Sequence, residues 1–448
     1  MKFEKFKELV MALAQAMGLN EYELYYRSSE STSVSAFQHE INEFSSDVSG
    51  GVCFRAIVNG KMGYAATEDL SEASAKAVVD KAIENAATLE SDEPVFLGEG
   101  GQTYQAIDRK LPALPATEVL IAKVLESQKA LYSANPVVTD GTTSQAIRGR
   151  MQIAICNSKG LDLSCTSTMT ALIPMAVINN GTEMADSYDI KVGDLEAMDL
   201  AAIASKTVDK AMQKLGGDIA PTAVCPVVFS PDAMADLLAT FSPVFSSENT
   251  QKGLSRLQGK EGEIIASPAV TLVDDPFYEF STTPMAFDAE GSPTYRKNVI
   301  EAGRLQTLLY NLKTANLAGK TTTGNGSKDS YAASLSVRPF TMYLAPGQFS
   351  EEELLQKAGN GVYINALGGL HAGANEVSGD FSLQSAGFLI EDGKKTKAVK
   401  SFTVAGNFFQ LLETITAVGS NLEVPNPLGI TSFGSPSVLV ETLSIAGK

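Results

Sequence analysis

Two histidines, His39 and His371, and four cysteines, Cys53, Cys156, Cys165 and Cys225, are the side chains of this 448-residue chain best suited to nucleophilic or metal chemistry. A zinc site takes three or four His, Cys or carboxylate ligands. The histidines are too far apart to share a helix, no C-x-x-C pair occurs, and no Cys follows Cys225. A His-and-Cys centre in the C-terminal half is therefore ruled out, while a carboxylate-rich magnesium or calcium site stays open. A Ser–His or Cys–His nucleophile would have to use one of the two histidines as its base. His39 follows a strand-like run beside Glu40 and Glu43. His371 lies in GGLHAGAN, whose glycines permit a ligand to approach the backbone closely, although an imidazole there can equally serve only to tie the loop together. Phosphate chemistry fares no better. Gly319-Lys320-Thr321 resembles the end of a phosphate-binding loop, but Thr314 stands where the leading glycine is needed. Neither G-x-G-x-x-G nor G-x-S-x-G occurs, which removes support for dinucleotide binding and for a nucleophile elbow.

Composition narrows the classes further. A formal charge of −17 argues against a sequence-independent hold on DNA, which depends on Lys and Arg neutralising phosphates. The apolar fraction of 44% and charged fraction of 19% are those of a globular protein, and the length favours two or three domains. No apolar run approaches the roughly 20 residues that span a bilayer. The N-terminus mixes Lys2, Glu4, Lys5, Lys7 and Glu8 with apolar residues, unlike a secretory or transit signal, so the expected location is cytoplasmic, with no membrane contact. In that setting the cysteines read as reduced, buried small hydrophobes.

The elements that must position any site can be read from periodicity. Phe3, Phe6, Leu9, Val10, Leu13 and Met17 have helical spacing, with Gly18 placed for a left-handed cap. Strand-like runs follow over 22–27, 31–38, 51–58 and 61–66, the last two joined by the hairpin signal Asn59-Gly60. A helix over 71–89, with Asp69 and Glu72 spaced like a capping box, closes the unit. Residues 89–115 read as a linker or surface connection rich in Gly, Pro and acid. A helix over 117–132, strands over 137–143, 146–157 and 161–177, and a helix over 198–215 then repeat the pattern. From 266 to 447 short β-branched runs dominate, with helices expected over 350–358 and 408–418. The expected fold class is α+β: N-terminal regions of strands closed by helices, residues 1–110 and 111–219, then a β-rich, largely antiparallel C-terminal domain over 220–448.

Several long motifs stand in one order: ASPAVTLVDDP at 266–276, TLLYNLKTA and TTTGNG between 307 and 326, and GLHAGAN followed by SGDFSLQSAGFLI between 369 and 390. FTVAGNFF at 402–409 and GSPSVLVETLSIAG at 434–447 complete the set. Together they resemble the TldD/PmbA family of peptidase subunits, some of whose members are named modulators of DNA gyrase, and the variant is similar to PmbA, also called TldE. The catalytic type in that family carries a His-Glu-x-x-x-His helix and a late Cys ligand, both missing here. By placement against that helix, Ala239 and Val244 stand for the two His ligands and Thr240 for the Glu base. The resemblance thus implies no catalytic and no metal residue in this chain, and no cofactor of its own. Zinc is expected in a TldD-type partner subunit, and the pair would act in peptide maturation or breakdown of small unfolded proteins. Asn311, Asn325, His371, Asn375 and Asn407, in the Gly-rich motifs, are candidate contacts to an extended peptide, although Asn also suits turns. The alternative is a homodimeric peptide-binding protein without proteolytic activity.

Overall fold

The computed structural model of the chain describes residues 1–90 and 93–448. Helix α1 (Phe3–Ala16) buries Phe3, Phe6, Val10 and Ala14, the stripe that the spacing predicts. Gly18 follows at φ +75, a left-handed conformation that only glycine adopts without steric cost. Strands β1 (Glu21–Phe37), β2 (Glu40–Val58) and β3 (Lys61–Thr67) form an antiparallel unit backed by helix α2 (Glu72–Thr88). The β2–β3 turn is the expected Asn59-Gly60 hairpin, with both residues at positive φ. Helix α3 (Thr117–Ala134) leads into β4 (Thr143–Asn157), β5 (Asp162–Asn179), β6 (Met184–Tyr188) and β7 (Lys191–Val192), and helix α4 (Leu200–Met212) packs behind them.

Both strand groups belong to one continuous sheet, ordered β3-β2-β1-β4-β5-β6, because β1 pairs with β4 along nearly its whole length. One face carries all four helices: α1 and α2 cover Leu24, Val52 and Phe54, while α3 and α4 cover Val34, Ala146 and Leu172. The opposite face is covered as well. Tyr25, Ile153 and Ile155 pack there against Met285, Phe287 and Phe340 of the C-terminal half. Side chains alternate across a strand, so Glu23, Tyr25 and Arg27 of β1 all point into that second layer.

The C-terminal half contains two main sheets. Five strands run in the order β12 (Arg304–Leu305), β11 (Lys297–Glu301), β10 (Leu272–Asp275), β15 (Thr341–Leu344), β20 (Ser432–Gly434). Between them lies the small pair β13 (Gly326–Ser327) and β14 (Ser336–Val337). The other sheet runs β19 (Ile415–Val418), β21 (Val438–Ala446), β9 (Ala223–Phe229), β16 (Gly361–Gly368), β17 (Asp380–Glu391), β18 (Lys394–Asn407), β8 (Asp218–Ile219). An extra pairing of β18 with β21 closes five of these strands into a ring. The short helices are α5 (Pro231–Phe241), α6 (Ser247–Gln251), α7 (Leu312–Leu317), α8 (Glu351–Ala358), α9 (Leu370–Gly373) and α10 (Phe408–Thr414). The fold is α+β with mostly antiparallel sheets, as expected.

Several local expectations need correction. The runs at 22–27 and 31–38 are one strand, because β2 and β4 pair with β1 straight through its polar middle. Asp69 and Glu72 make no capping box: Ser71 is the N-cap, accepting from the Ser74 amide at 3.2 Å, and Asp69 accepts from the Ser71 hydroxyl at 2.7 Å. Residues 137–143 contribute only a bridge from Val138 to Ile178 before β4. The expected helix over 408–418 stops at Thr414, and Ile415, Ala417 and Val418 find partners on β21 instead. In the connection of 89–115, Ser91 and Asp92 lie outside the described residues. The part that follows them is tied down: Tyr104 donates to the Gly291 carbonyl at 2.9 Å, and Arg109 to that of Glu279 at 2.6 Å. Cys53 and Cys156 are buried, Cys165 and Cys225 half-buried, and all four are unpaired. Burial pushes the Cys156 thiol up to about 12, which keeps it protonated and unreactive.

Candidate functional site

Helix α5 begins where Ser230 caps the Ala233 amide at 3.2 Å and Pro231 occupies the first turn. It ends at Phe241, and the chain then tightens into a 3₁₀ turn, Ser242–Phe245, with Pro243 in its first turn. Thr240 Oγ1 donates back to the Asp236 carbonyl at 2.8 Å, and Ser242 Oγ to that of Ala239 at 3.0 Å. Beside this end of α5 opens a cleft of about 450 Å³. Ala239, Ser242, Ser246, Asn249, Ser336 and Thr431 supply much of its wall, with Leu309 and Phe433 as apolar floor. Its charged side chains are Glu248, Glu376 and Arg338, the last paired with Asp329 at 2.8 Å.

Of the three positions placed against a zinc helix, Ala239 lines the cleft, while Val244 is buried in the core of the C-terminal half. Among the described residues no three His, Cys, Asp or Glu side chains come together as a metal site. Most polar groups around the cleft are hydroxyls and an amide, which suit the N–H and C=O groups of a peptide main chain. Glu248 and Glu376 are its carboxylates, fewer than the three or four ligands that zinc takes.

Three of the five sequence-selected residues share one corner, beside the cleft. Asn375 Oδ1 accepts from the Val377 and Ser378 amides, each at 3.0 Å. Asn407 caps α10 and donates through Nδ2 to the Ser378 carbonyl and to Asp380 Oδ1, both at 2.8 Å. Those contacts from Asn407, then from Ser378, hold the Asp380 carboxyl below its usual range. His371 is exposed on α9, which packs against α5, and Glu376 of the same loop reaches the cleft. Beneath them Phe241 stacks on Phe408 at 4.6 Å between centroids.

The other two lie elsewhere. Asn311 is buried as the N-cap of α7 in a reciprocal capping box with Thr314. Asn325 is fully buried, donating to Asp274 Oδ2 at 2.8 Å and to the Arg338 carbonyl at 3.0 Å. It also accepts from Lys297 Nζ at 3.2 Å and from Thr323 Oγ1 at 2.7 Å. Its reach to the cleft is indirect, through the backbone of Arg338.

Sequence reasoning missed an ionic layer between the two halves. Glu23 and Arg55, directly opposite one another on β1 and β2, form a buried pair at 2.6 Å. Asp274 and Lys297 form a second at 3.2 Å. Asp288 and Glu290, both buried, lie between them in the chain's fold; Asp288 accepts from the amides of Glu290, Ser292 and Gly326. Burial, then the Asp288 carboxylate, pushes Glu290 up to about 8, and burial raises Asp288 as well. A charge inside an apolar strand was the available signal: Glu23 in EYELYY and Asp274 in TLVDD.

Comparison with known proteins places this geometry. The PmbA/TldA metallopeptidase domain 1 matches residues 22–86, the central domain 110–215 and the C-terminal domain 222–447, the last alone spanning half of the chain. The chain belongs to the PmbA/TldD metallopeptidase family. Among solved structures, a Thermotoga maritima protein described as a candidate modulator of a DNA gyrase superposes with a TM-score of 0.90 at 29% identity, over 99% of this chain and 100% of that one. TldE from Thermococcus kodakarensis superposes at 0.87 with 25% identity, over 98% of this chain and 99% of its own. A Haemophilus influenzae protein named metalloprotease TldD homolog is 27% identical over 461 residues, 95% of this chain and 92% of its own length. No helix among the described residues is long and apolar enough to cross a membrane.

Proposed function

We propose that this PmbA/TldD family chain is the metal-free partner subunit of a TldD-type zinc peptidase, acting in the cytoplasm on extended peptides and small unfolded proteins. The observation that carries this reading is the end of α5, where Ala239 faces a cleft walled largely by hydroxyls, with Glu248 and Glu376 as its carboxylates and neither His nor Cys beside them to complete a zinc site. Zinc belongs to the partner in this reading. The chain contributes the cleft and the His371–Asn375–Asn407 corner as a surface for the peptide main chain, while Asn325 and Asn311 hold the loops behind it. Likeness to TldE and to TldD homologs supports such a pairing.

The test is reconstitution. The purified chain should bind no stoichiometric zinc and cleave no unfolded peptide, whereas mixing it with a TldD-type subunit should create cleavage that chelation of the partner's zinc abolishes. One zinc held tightly by this chain alone, or full activity of the partner alone, refutes the proposal.

A second reading, a homodimer that holds peptides without cleaving them, draws on β2. Among the described residues, its residues 40–51 pair only with β1, and that open edge exposes Phe44 (54%) and Val48 (79%). An unpaired strand edge is a surface for adding another strand. Sedimentation of the isolated chain as a monomer at all concentrations would remove this reading.

A further inference from the structure

A second cavity, of about 620 Å³, lies where the two halves of the molecule meet. The sheet contributes Arg55, Lys61 and Tyr64, the connecting strap contributes residues 93–96, and the C-terminal half contributes Glu290, α6 and α7. Its volume falls within the range of small-ligand sites, roughly 300–1,000 Å³. Glu248 on α6 faces both this cavity and the cleft beside α5.

Two side chains more than nine-tenths buried form its polar floor: Arg55, 4% exposed, and Glu290, 2% exposed. Arg55 donates through Nε to Glu23 Oε1 at 2.7 Å and makes only a weak contact from Nη1 to Met62 Sδ at 3.9 Å. Its Nη2 lies 2.6 Å from the same Glu23 oxygen, so Glu23 takes the Nε–Nη2 edge and Nη1 is the side left for a ligand. A guanidinium has five N–H groups, so spare donors remain here. Glu290 accepts from the Leu312 amide at 2.8 Å through Oε2, and among the described residues its Oε1 has no hydrogen-bond partner. A protonated Glu290 therefore has a donor to offer. At the rim, Lys252 is paired with Glu248 at 2.7 Å, Lys313 with Glu93, and Lys61 donates to the Leu89 carbonyl. The remaining wall is apolar, with Met62, Val95, Phe96, Leu317 and Leu335.

Unused donors at the bottom and an apolar wall above them are complementary to one chemistry. We propose that this cavity binds an apolar monocarboxylate, with the carboxylate taken by Arg55 and Glu290 and the apolar body lying along Phe96 and Leu317. A guanidinium N–H gives a charge-assisted hydrogen bond to a carboxylate, and a neutral carboxyl supplies a further O–H donor. Two sources share that chemistry: the C-terminal end of a peptide, and a free acyl acid.

Titration calorimetry on the full chain at pH 6.5 separates them. The probes are N-acetyl-leucyl-phenylalanine as free acid, the same dipeptide as its C-terminal amide, and octanoate. Binding of the free acid at least tenfold tighter than the amide supports the site with a peptide end as source. Binding of octanoate alone supports it with an acyl acid as source. Two variants localise the binding. Leu317→Glu, at a position already exposed in the free chain, places a negative charge at the mouth and should weaken the bound acid tenfold or more. Glu290→Ala removes the carboxyl donor and should weaken the bound acid about tenfold. Absence of binding by both acids, equal binding of acid and amide, or indifference to Leu317→Glu would overturn the proposal.

Discussion

Replacing Glu290 by Gln should stabilise the protein, by an amount that grows with pH. The unfolded chain releases the Glu290 proton near pH 4.5, whereas the folded chain holds it to about pH 8, because burial and then Asp288 disfavour the anion. Between those values the native state binds one proton more than the unfolded state, so stability falls as pH rises, by about 1.4 kcal/mol per unit. At pH 4.5 the parent has no such handicap. By pH 7 it amounts to roughly 3 kcal/mol, and above pH 8 it levels off at about 5 kcal/mol, as an upper figure. Glutamine has no proton to retain, and its carbonyl can still accept from the Leu312 amide. Asp288 titrates together with Glu290, so the variant also relieves Asp288 and the pH dependence belongs to the pair. The measurement is urea unfolding followed by circular dichroism, for parent and variant, from pH 4.5 to 8.5. A stability difference that ignores pH, or a variant less stable than the parent at pH 8, would refute the reasoning.

Three further perturbations follow from the same geometry. Asn325→Ala removes the amide that joins Asp274, Lys297 and the Arg338 carbonyl inside a fully buried network, and should cost about 3 kcal/mol in unfolding experiments. A loss below about 1 kcal/mol would mean that the network relaxes around the gap. Gly387→Ala would set a Cβ 1.8 Å from the Tyr363 carbonyl, so it should part β16 from β17 and yield protein that is insoluble or sensitive to protease. In the reconstituted peptidase, His371→Ala should weaken peptide capture by roughly tenfold or less, since at most one neutral hydrogen bond of about 0.5–1.5 kcal/mol is lost. Total loss of turnover with assembly intact would assign His371 a larger part than a single contact.

One part of the site reading rests on the sequence itself, because it depends on which residue types are absent. Two distant histidines and no Cys after Cys225 exclude the zinc chemistry of the catalytic family members, whatever the topology. Local elements were legible for an equally local reason. The stripe of α1, the Asn59-Gly60 turn and helix α8, expected over 350–358 and formed by Glu351–Ala358, follow from residues close in sequence. Where partners are distant, sequence periodicity misled. The stretch 415–418 continues a helical pattern, yet pairing with β21, more than 20 residues on, makes it a strand.

Taken alone, the amino-acid sequence determined the α+β class, the family motifs and the lack of a His-Glu-x-x-x-His segment and a late Cys. Only the tertiary structure decided which polar residues are solvated and which are buried. Glu23 alternates with Tyr22 and Leu24 as a residue on a water-facing strand side would, and it becomes buried because the C-terminal half covers that side of the sheet. The same covering sets Arg55 against it and Glu290 at the floor of a cavity. Burial on a second face is a property of two layers meeting, and no single strand's pattern contains it.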